Sequence, residues 1–222
     1  MTDETDPAAP PTKLTRSKER WAREGRFLTG RTARPETERL PPGQHVVRDW
    51  PVLDLGKSPT VTPDTWQLKL YGAVENPLVW NWADFLAQEQ TDFTSDIHCV
   101  TSWSRYDNRW QGVAARDLLA AVQPLPEARF VVLRSYDGYT TNLALDDFAA
   151  EDALLAHSWE GVPLTPEHGG PVRLVVPHLY FWKSAKWLRQ IQFRADDNPG
   201  FWEVRGYHNH ADPWREERYS EG

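Results

Sequence analysis

At 222 residues, 40% hydrophobic and 26% charged, the chain is long enough for one domain with a packed core. A net charge of -7 at pH 7 opposes nonspecific binding to nucleic acid or anionic lipid, and no apolar run reaches the length of a membrane helix. One Cys excludes a disulfide framework, and the polar N-terminus MTDETDPAAPPTKLTRSKER has no apolar segment of an export signal, so a cytoplasmic location is expected.

In chain order, residues 1–30 read as a flexible arm with one short helix over Trp21–Phe27, and 31–222 as a single domain. Arg31 to Asp54 is irregular and ends in GQHVVRDWPVLDLG. The alternation of Trp66, Leu68, Leu70 and Val74 against Gln67 and Lys69 predicts a strand over Trp66–Val74. Asn81 is placed to cap a helix with Asp84 in its first turn, running through Phe85 and Leu86. Asp96–Val100 reads as a short extended piece carrying Cys99. Val113–Val122 predicts a helix with Leu118, Leu119 and Val122 inward. Phe130–Arg134 and Val172–Val176 are continuous apolar runs that suit strands buried on both faces. Asp146–Leu155 predicts a helix, and Trp187–Phe193 a strand. No Gly-rich loop follows a strand, and 12 Trp with 18 Pro suit a loop-rich chain, so an α+β fold with mixed β-sheets and surrounding helices and loops is expected over a dinucleotide-binding one.

Three segments carry chemistry. In DIHCVTSWSRYDNRWQGV, Cys99 is surrounded by His98, Thr101, Ser102, Trp103, Ser104 and Arg105. A thiolate that binds metal or attacks a substrate needs such polar neighbours, whereas a lone Cys is commonly a small core filler. The local context leaves these two readings level. In HGGPVRLVVPHLYFWKSAKWL, His168 and Arg173 flank two glycines, and Lys183, Ser184 and Lys186 follow a short strand and turn. Glycines let backbone approach an anion, and Arg, Lys and Ser donors suit a terminal phosphate, although lysines beside Tyr180, Phe181, Trp182 and Trp187 also fit snorkelling. His45-Val-Val-Arg48-Asp49-Trp50-Pro51 is weaker, since an Arg-Asp step is more often a structural ion pair than a site.

CVTSWS, HGGPVRLVVP and KSAKW together resemble the molybdopterin-binding domain of the sulfite oxidase family, and VVRDWPV resembles that family's Arg-Asn-His loop. The resemblance runs from Gln44 to Phe193 in order; with the tail GFWEVRGYHNHADPWRE it is similar to a short bacterial subgroup of sulfite oxidase-like oxidoreductases. It implies the sulfite oxidase fold and molybdenum-molybdopterin as cofactor, with Cys99 as the metal ligand. It places His168, Arg173, Lys183, Ser184, Ala185 and Lys186 on the pterin and its phosphate. Arg48, Asp49 and Trp50 fall in the loop bordering metal and cofactor, and Ser135 on a further cofactor contact. Trp103, Arg105, Tyr139, Arg48 and His157 are the candidates for the substrate side, with His157 a proton donor.

Departures from the family narrow the reading. Sulfite oxidases proper carry an Arg where this chain has Ser104, and a Tyr where His157 follows Ala156. CVTSWS is instead similar to the branch of methionine sulfoxide reductase catalytic subunits. The implied activity is oxygen-atom transfer to or from a small molecule, by a monomer without a haem or dimerisation domain. Electrons then pass to an external haem protein or other carrier. A non-catalytic Trp-rich ligand-binding module is the alternative from another class. A metal hydrolase built on His98, His157, His168, His208 or His210 is a third, weakened because no third ligand stands at helical spacing from the H-x-H pair.

Overall fold

The computed structural model describes residues 38–56 and 58–220, so the helix expected over Trp21–Phe27 and the arm expected over 1–30 lie outside the described residues. In chain order the strands and helices begin with β1 (His45–Val46), β2 (Gln67–Gly72), β3 (Leu78–Asn81), α1 (Trp82–Leu86), β4 (Thr91–His98), β5 (Trp103–Ala114) and α2 (Ala115–Val122). There follow β6 (Phe130–Ser135), β7 (Thr140–Ala144), α3 (Leu145–Phe148), β8 (Leu154–Trp159), β9 (Val162–Pro163), β10 (Arg173–Val175) and β11 (Leu188–Arg194).

The first sheet is organised on β5. β4 runs antiparallel along one edge of it, from Thr91 opposite Gly112 to His98 opposite Ser104. The other edge takes β1 in parallel at its start, with His45 opposite Trp103, and β8 antiparallel at its end. β9 and β10 then pair with β8. Where β5 meets β8 the register shifts at Gln111/Gly112, and a Cβ on Gly112 would stand 2.0 Å from the Leu155 carbonyl oxygen, so only glycine permits this approach. The second sheet has the order β3-β2-β11-β6-β7, with β2 and β11 parallel.

One core lies where elements of both sheets and α2 meet. Leu68, Leu70, Val131, Leu133, Ile191 and Phe193 of the second sheet join one cluster with Leu155 and Leu174 of the first and Leu118 and Val122 of α2. Each such fully buried side chain contributes roughly 1.5–3 kcal/mol. A second cluster, with Trp50, Cys99, Trp103, Trp110 and Phe181, sits around the cavity described below.

The strand expected at Trp66–Val74 is β2, with Leu68 and Leu70 buried and Gln67 and Lys69 exposed. The capped helix is α1: the Asn81 side chain accepts from the Asp84 amide at 3.0 Å, and Asp84 accepts from the Asn81 amide at 3.0 Å. Other expectations shift. The helix expected from Val113 begins at Ala115, because Val113 and Ala114 complete the β5–β8 ladder, and Leu119 is only half-buried. The helix expected over Asp146–Leu155 ends after Phe148. Its last residues belong to β8, whose Leu154 and Leu155 pair with both β5 and β10. Among the described residues no helix is long and apolar enough to cross a membrane.

Candidate active site

A four-residue turn, Cys99–Ser102, joins β4 to β5. The Cys99 amide donates to the Trp103 carbonyl at 2.8 Å and the Ser102 amide to the Cys99 carbonyl at 3.0 Å, with Ser102 in the left-handed region at φ 73. This geometry presents Sγ to a cavity of about 300 Å³. Cys99 is 6% exposed, and its sulfur lies 3.1 Å from the Thr101 hydroxyl. Burial pushes the thiol pKa up, while Thr101 and the charge of Arg218 act in the opposite direction. A bound cation reverses the balance, because a coordinating thiol gives up its proton.

One end of the cavity is basic. Arg173, on β10, is 3% exposed and donates from Nη1 to the His168 carbonyl and from Nη2 to the Ser184 carbonyl, both at 2.8 Å. No described carboxylate stands within ion-pair distance, and burial brings its pKa down to about 9. Lys186 donates to the Glu167 carbonyl at 2.7 Å; burial first, then the charge of Arg173, bring it down to about 8. Its stem crosses Gly169, where a Cβ would stand 2.8 Å from the Lys186 Cβ and φ is +101°, so the first glycine of the pair is required by packing. His168 stacks on Trp50 with ring centroids 4.0 Å apart, and its Nε2 lies 3.3 Å from the Trp50 carbonyl. A carbonyl only accepts, so Nε2 carries the proton and Nδ1, 3.1 Å from the Thr165 hydroxyl, can accept. The Ser184 hydroxyl accepts from the Val176 amide at 2.9 Å, leaving its own proton to donate. The buried Ser135 hydroxyl, also in the wall, has no hydrogen-bond partner among the described residues.

The other end is aromatic. Trp103, Trp182, Trp202 and Tyr207 line it beside Cys99. The Tyr207 ring lies 5.0 Å from that of Trp182 and 4.9 Å from that of Trp202. Tyr139 also faces the cavity, but its hydroxyl donates to the Trp182 carbonyl at 2.7 Å. An ion pair locks this wall: Lys183 Nζ lies 2.7 Å from Glu203 Oε1, with side chains 0% and 1% exposed. Thr141 and the Trp182 indole donate to the same carboxylate oxygen at 2.8 and 3.0 Å.

Of the residues singled out from sequence, Cys99, Trp50, Trp103, Ser135, Tyr139, His168, Arg173, Ser184, Ala185 and Lys186 line this one cavity. Five do not. Lys183 points the opposite way from Lys186, because the turn Phe181–Lys183 directs its ammonium to Glu203 and to the Asn142 carbonyl at 2.9 Å. Arg48 and Asp49 stay exposed, their charges in water, while the neighbouring Trp50 turns inward. Arg105 lies over the Trp159 ring at 4.6 Å and donates to the Arg48 carbonyl at 3.0 Å. His157 packs edge-on to Trp82 and Phe85 with centroids 6.0 and 6.1 Å away, and burial lowers its pKa. Sequence reasoning missed Trp182, Trp202 and Tyr207 as wall residues. The tail motif containing the last two was visible, but nothing in it says that the chain returns to the cavity.

The Oxidoreductase molybdopterin binding domain family model matches residues 55–202. The chain is 50% identical over 186 residues to the uncharacterized oxidoreductase YuiH of Bacillus subtilis, covering 83% of this chain and 94% of that protein. It is 28% identical over 155 residues to the protein-methionine-sulfoxide reductase catalytic subunit MsrP of Campylobacter jejuni, covering 62% of this chain but only 52% of that relative. The sulfane dehydrogenase SoxCD structure from Paracoccus pantotrophus superposes with a TM-score of 0.60 at 21% identity, over 71% of this chain and 46% of that one, a likeness of fold.

Proposed function

The chain belongs to the oxidoreductase molybdopterin binding domain family and is a molybdopterin-dependent oxidoreductase of the sulfite oxidase type, and on that premise we propose oxygen-atom transfer to or from a small uncharged substrate. The residues present fit the cofactor. Two neighbouring cations, Arg173 with its pKa lowered by burial and Lys186 by burial and by Arg173, have no carboxylate at ion-pair distance among the described residues and call for an anion. The Ser135 hydroxyl, without a described partner, calls for an acceptor or donor. The lone thiol opens on the same cavity, and that juxtaposition carries the proposal.

When bound, the cofactor supplies metal-centred two-electron exchange of an oxygen atom. Cys99 would hold the metal through its thiolate. Arg173, Lys186 and Ser184 would hold the phosphate by charge-assisted hydrogen bonds, and His168, Ser135, Ala185 and Trp50 the pterin. Trp103, Trp182, Trp202 and Tyr207 exclude water and shape the substrate side, and among the described residues the only lysine and arginine lining the cavity are Lys186 and Arg173. With both engaged by the phosphate, an oxyanion would find no described cation in the wall to pair with, which favours a sulfoxide or N-oxide over sulfite or nitrate.

Residues 31–222 serve as the working domain, and the lone cysteine supports a cytoplasmic setting. The chain acts as a monomer whose electrons pass to or from an external haem protein or other carrier. The rival Trp-rich binding module gains nothing from the family match, which is to a domain of oxidoreductases.

The test is turnover by molybdenum-loaded enzyme of sulfoxides, N-oxides, sulfite and nitrate with an artificial electron donor or acceptor. Turnover of a sulfoxide or N-oxide above the oxyanions supports the proposal. Preference for an oxyanion contradicts the uncharged substrate, and inactivity towards all four classes contradicts oxygen-atom transfer.

A further inference from the structure

Three residues outside the cavity wall hold the backbone of the Cys99 turn. Gln44 donates from Nε2 to the Cys99 carbonyl at 3.0 Å, and the His45 amide donates to the Ser102 carbonyl at 2.9 Å. The third holder comes from the C-terminal segment, beyond the residues that carry the family pattern. Arg218 Nη1 donates to the Val100 carbonyl at 2.6 Å and lies 3.5 Å from the Ser102 hydroxyl, while Nη2 donates to the Pro42 carbonyl at 3.3 Å. Its guanidinium lies 5.0 Å from the centre of the buried Tyr180 ring. Gly43, at φ +67°, admits it: a Cβ there would stand 3.2 Å from Nη2.

We infer that Arg218 is a positioning residue for the metal ligand, bridging the Val100 and Pro42 carbonyls so that the turn keeps Cys99 Sγ aimed into the cavity. Gln44 fixes the carbonyl of the Cys99–Val100 peptide and Arg218 that of the next peptide, Val100–Thr101. Two successive peptides leaving Cys99 are thus held, and release of the second loosens the chain that sets the direction of the sulfur. A planar guanidinium can reach both the turn and Pro42 at once; a lysine ammonium is a single point of attachment. This assignment rests on the reading of Cys99 as the metal ligand, and adds to it a residue that never touches cofactor or substrate.

The test uses the full chain purified from a molybdopterin-producing host, as wild type, Arg218→Ala and Arg218→Lys, with molybdenum measured in each. Arg218→Ala is expected to speed hydrogen exchange of the Ser102 amide by roughly 10- to 100-fold, the loss of one charge-assisted bond. It is also expected to shift the thiolate-to-metal absorption of the metal it retains. Arg218→Lys falls between, since it restores the charge without the bridge. Unchanged exchange and absorption in Arg218→Ala, with molybdenum present, overturn the clamp alone. Wild type without molybdenum overturns the ligand reading and the clamp with it. Should Arg218→Ala not fold by circular dichroism, Arg218→Gln, which keeps one planar donor without charge, is read by the same two measurements, with the same result overturning the clamp.

Discussion

A buried guanidinium without a carboxylate is costly, because its charge leaves water and gains only backbone carbonyls and aromatic faces in return. Arg173 is such a group, and Lys186 beside it is depressed for the same reason. Phosphate binding should therefore weaken as pH rises through about 8, as Lys186 loses its proton while the Arg173 guanidinium stays charged. Lys186→Met tests this. Methionine keeps the apolar stem over Gly169, so the melting temperature should stay close to wild type. Calorimetric affinity for inorganic phosphate should fall roughly tenfold or more, by the loss of one charged hydrogen bond, and the pH dependence near 8 should vanish. Unchanged affinity would remove Lys186 from the phosphate site. The glycine–arginine–lysine cluster was legible because glycine next to cations is a local pattern. Lys183 was not separable from Lys186 by sequence, since its partner Glu203 is distant in the chain and only folding brings them together.

At the level of elements, strongly patterned pieces such as β2 and α1 were legible, and their local rules survive in the structure. β5 was not. Its exposed positions carry Asp107, Arg109 and Gln111, and its buried Asn108 and Ser104 break the apolar alternation that marks a strand. β8 was absorbed into an expected helix because Leu154 and Leu155 fit either period, and pairing on both edges decided the outcome.

The C-terminal segment is tied to α3 by a histidine–carboxylate chain. His178 lies 2.8 Å from Asp152 and 3.4 Å from Asp147, and His210 lies 2.7 Å from Glu217 and 3.8 Å from Asp147. Burial opposes the charged ring of His178, but its bonds to Asp147 and Asp152 outweigh this and raise its pKa to about 9. Asp147, with Glu217, raises His210 to about 9 against burial. Both folded values lie above the ordinary 6.5, so the stabilisation is fully present below about 6.5 and is lost as pH rises towards about 9. Thermal melts across that window should show a falling midpoint, and His178→Asn should flatten the fall. An equally steep fall in the variant would show that the His178 contacts with Asp147 and Asp152 do not set the pH dependence.

At the scale of the whole molecule, the cavity exists only because both sheets and the tail meet. Cys99 and Arg173 come from the first sheet, Ser135 and Tyr139 from the β6–β7 hairpin of the second, and Trp202 and Tyr207 from the segment after β11. The family resemblance made Cys99 and Arg173 legible, since each sits in a contiguous motif, and it offered Ser135 and Tyr139 as candidates without one. The tail carried no such signal, because its contribution depends on a buried ion pair and on aromatic contacts across the chain. The central claim is that the single thiol of this assembly holds a molybdenum atom. Metal analysis of the full chain purified from a molybdenum-replete, molybdopterin-producing host tests it most directly. About one molybdenum per chain in wild type, lost in a folded Cys99→Ser variant, is the result predicted. Equal molybdenum in the two proteins, or none in either, would contradict it.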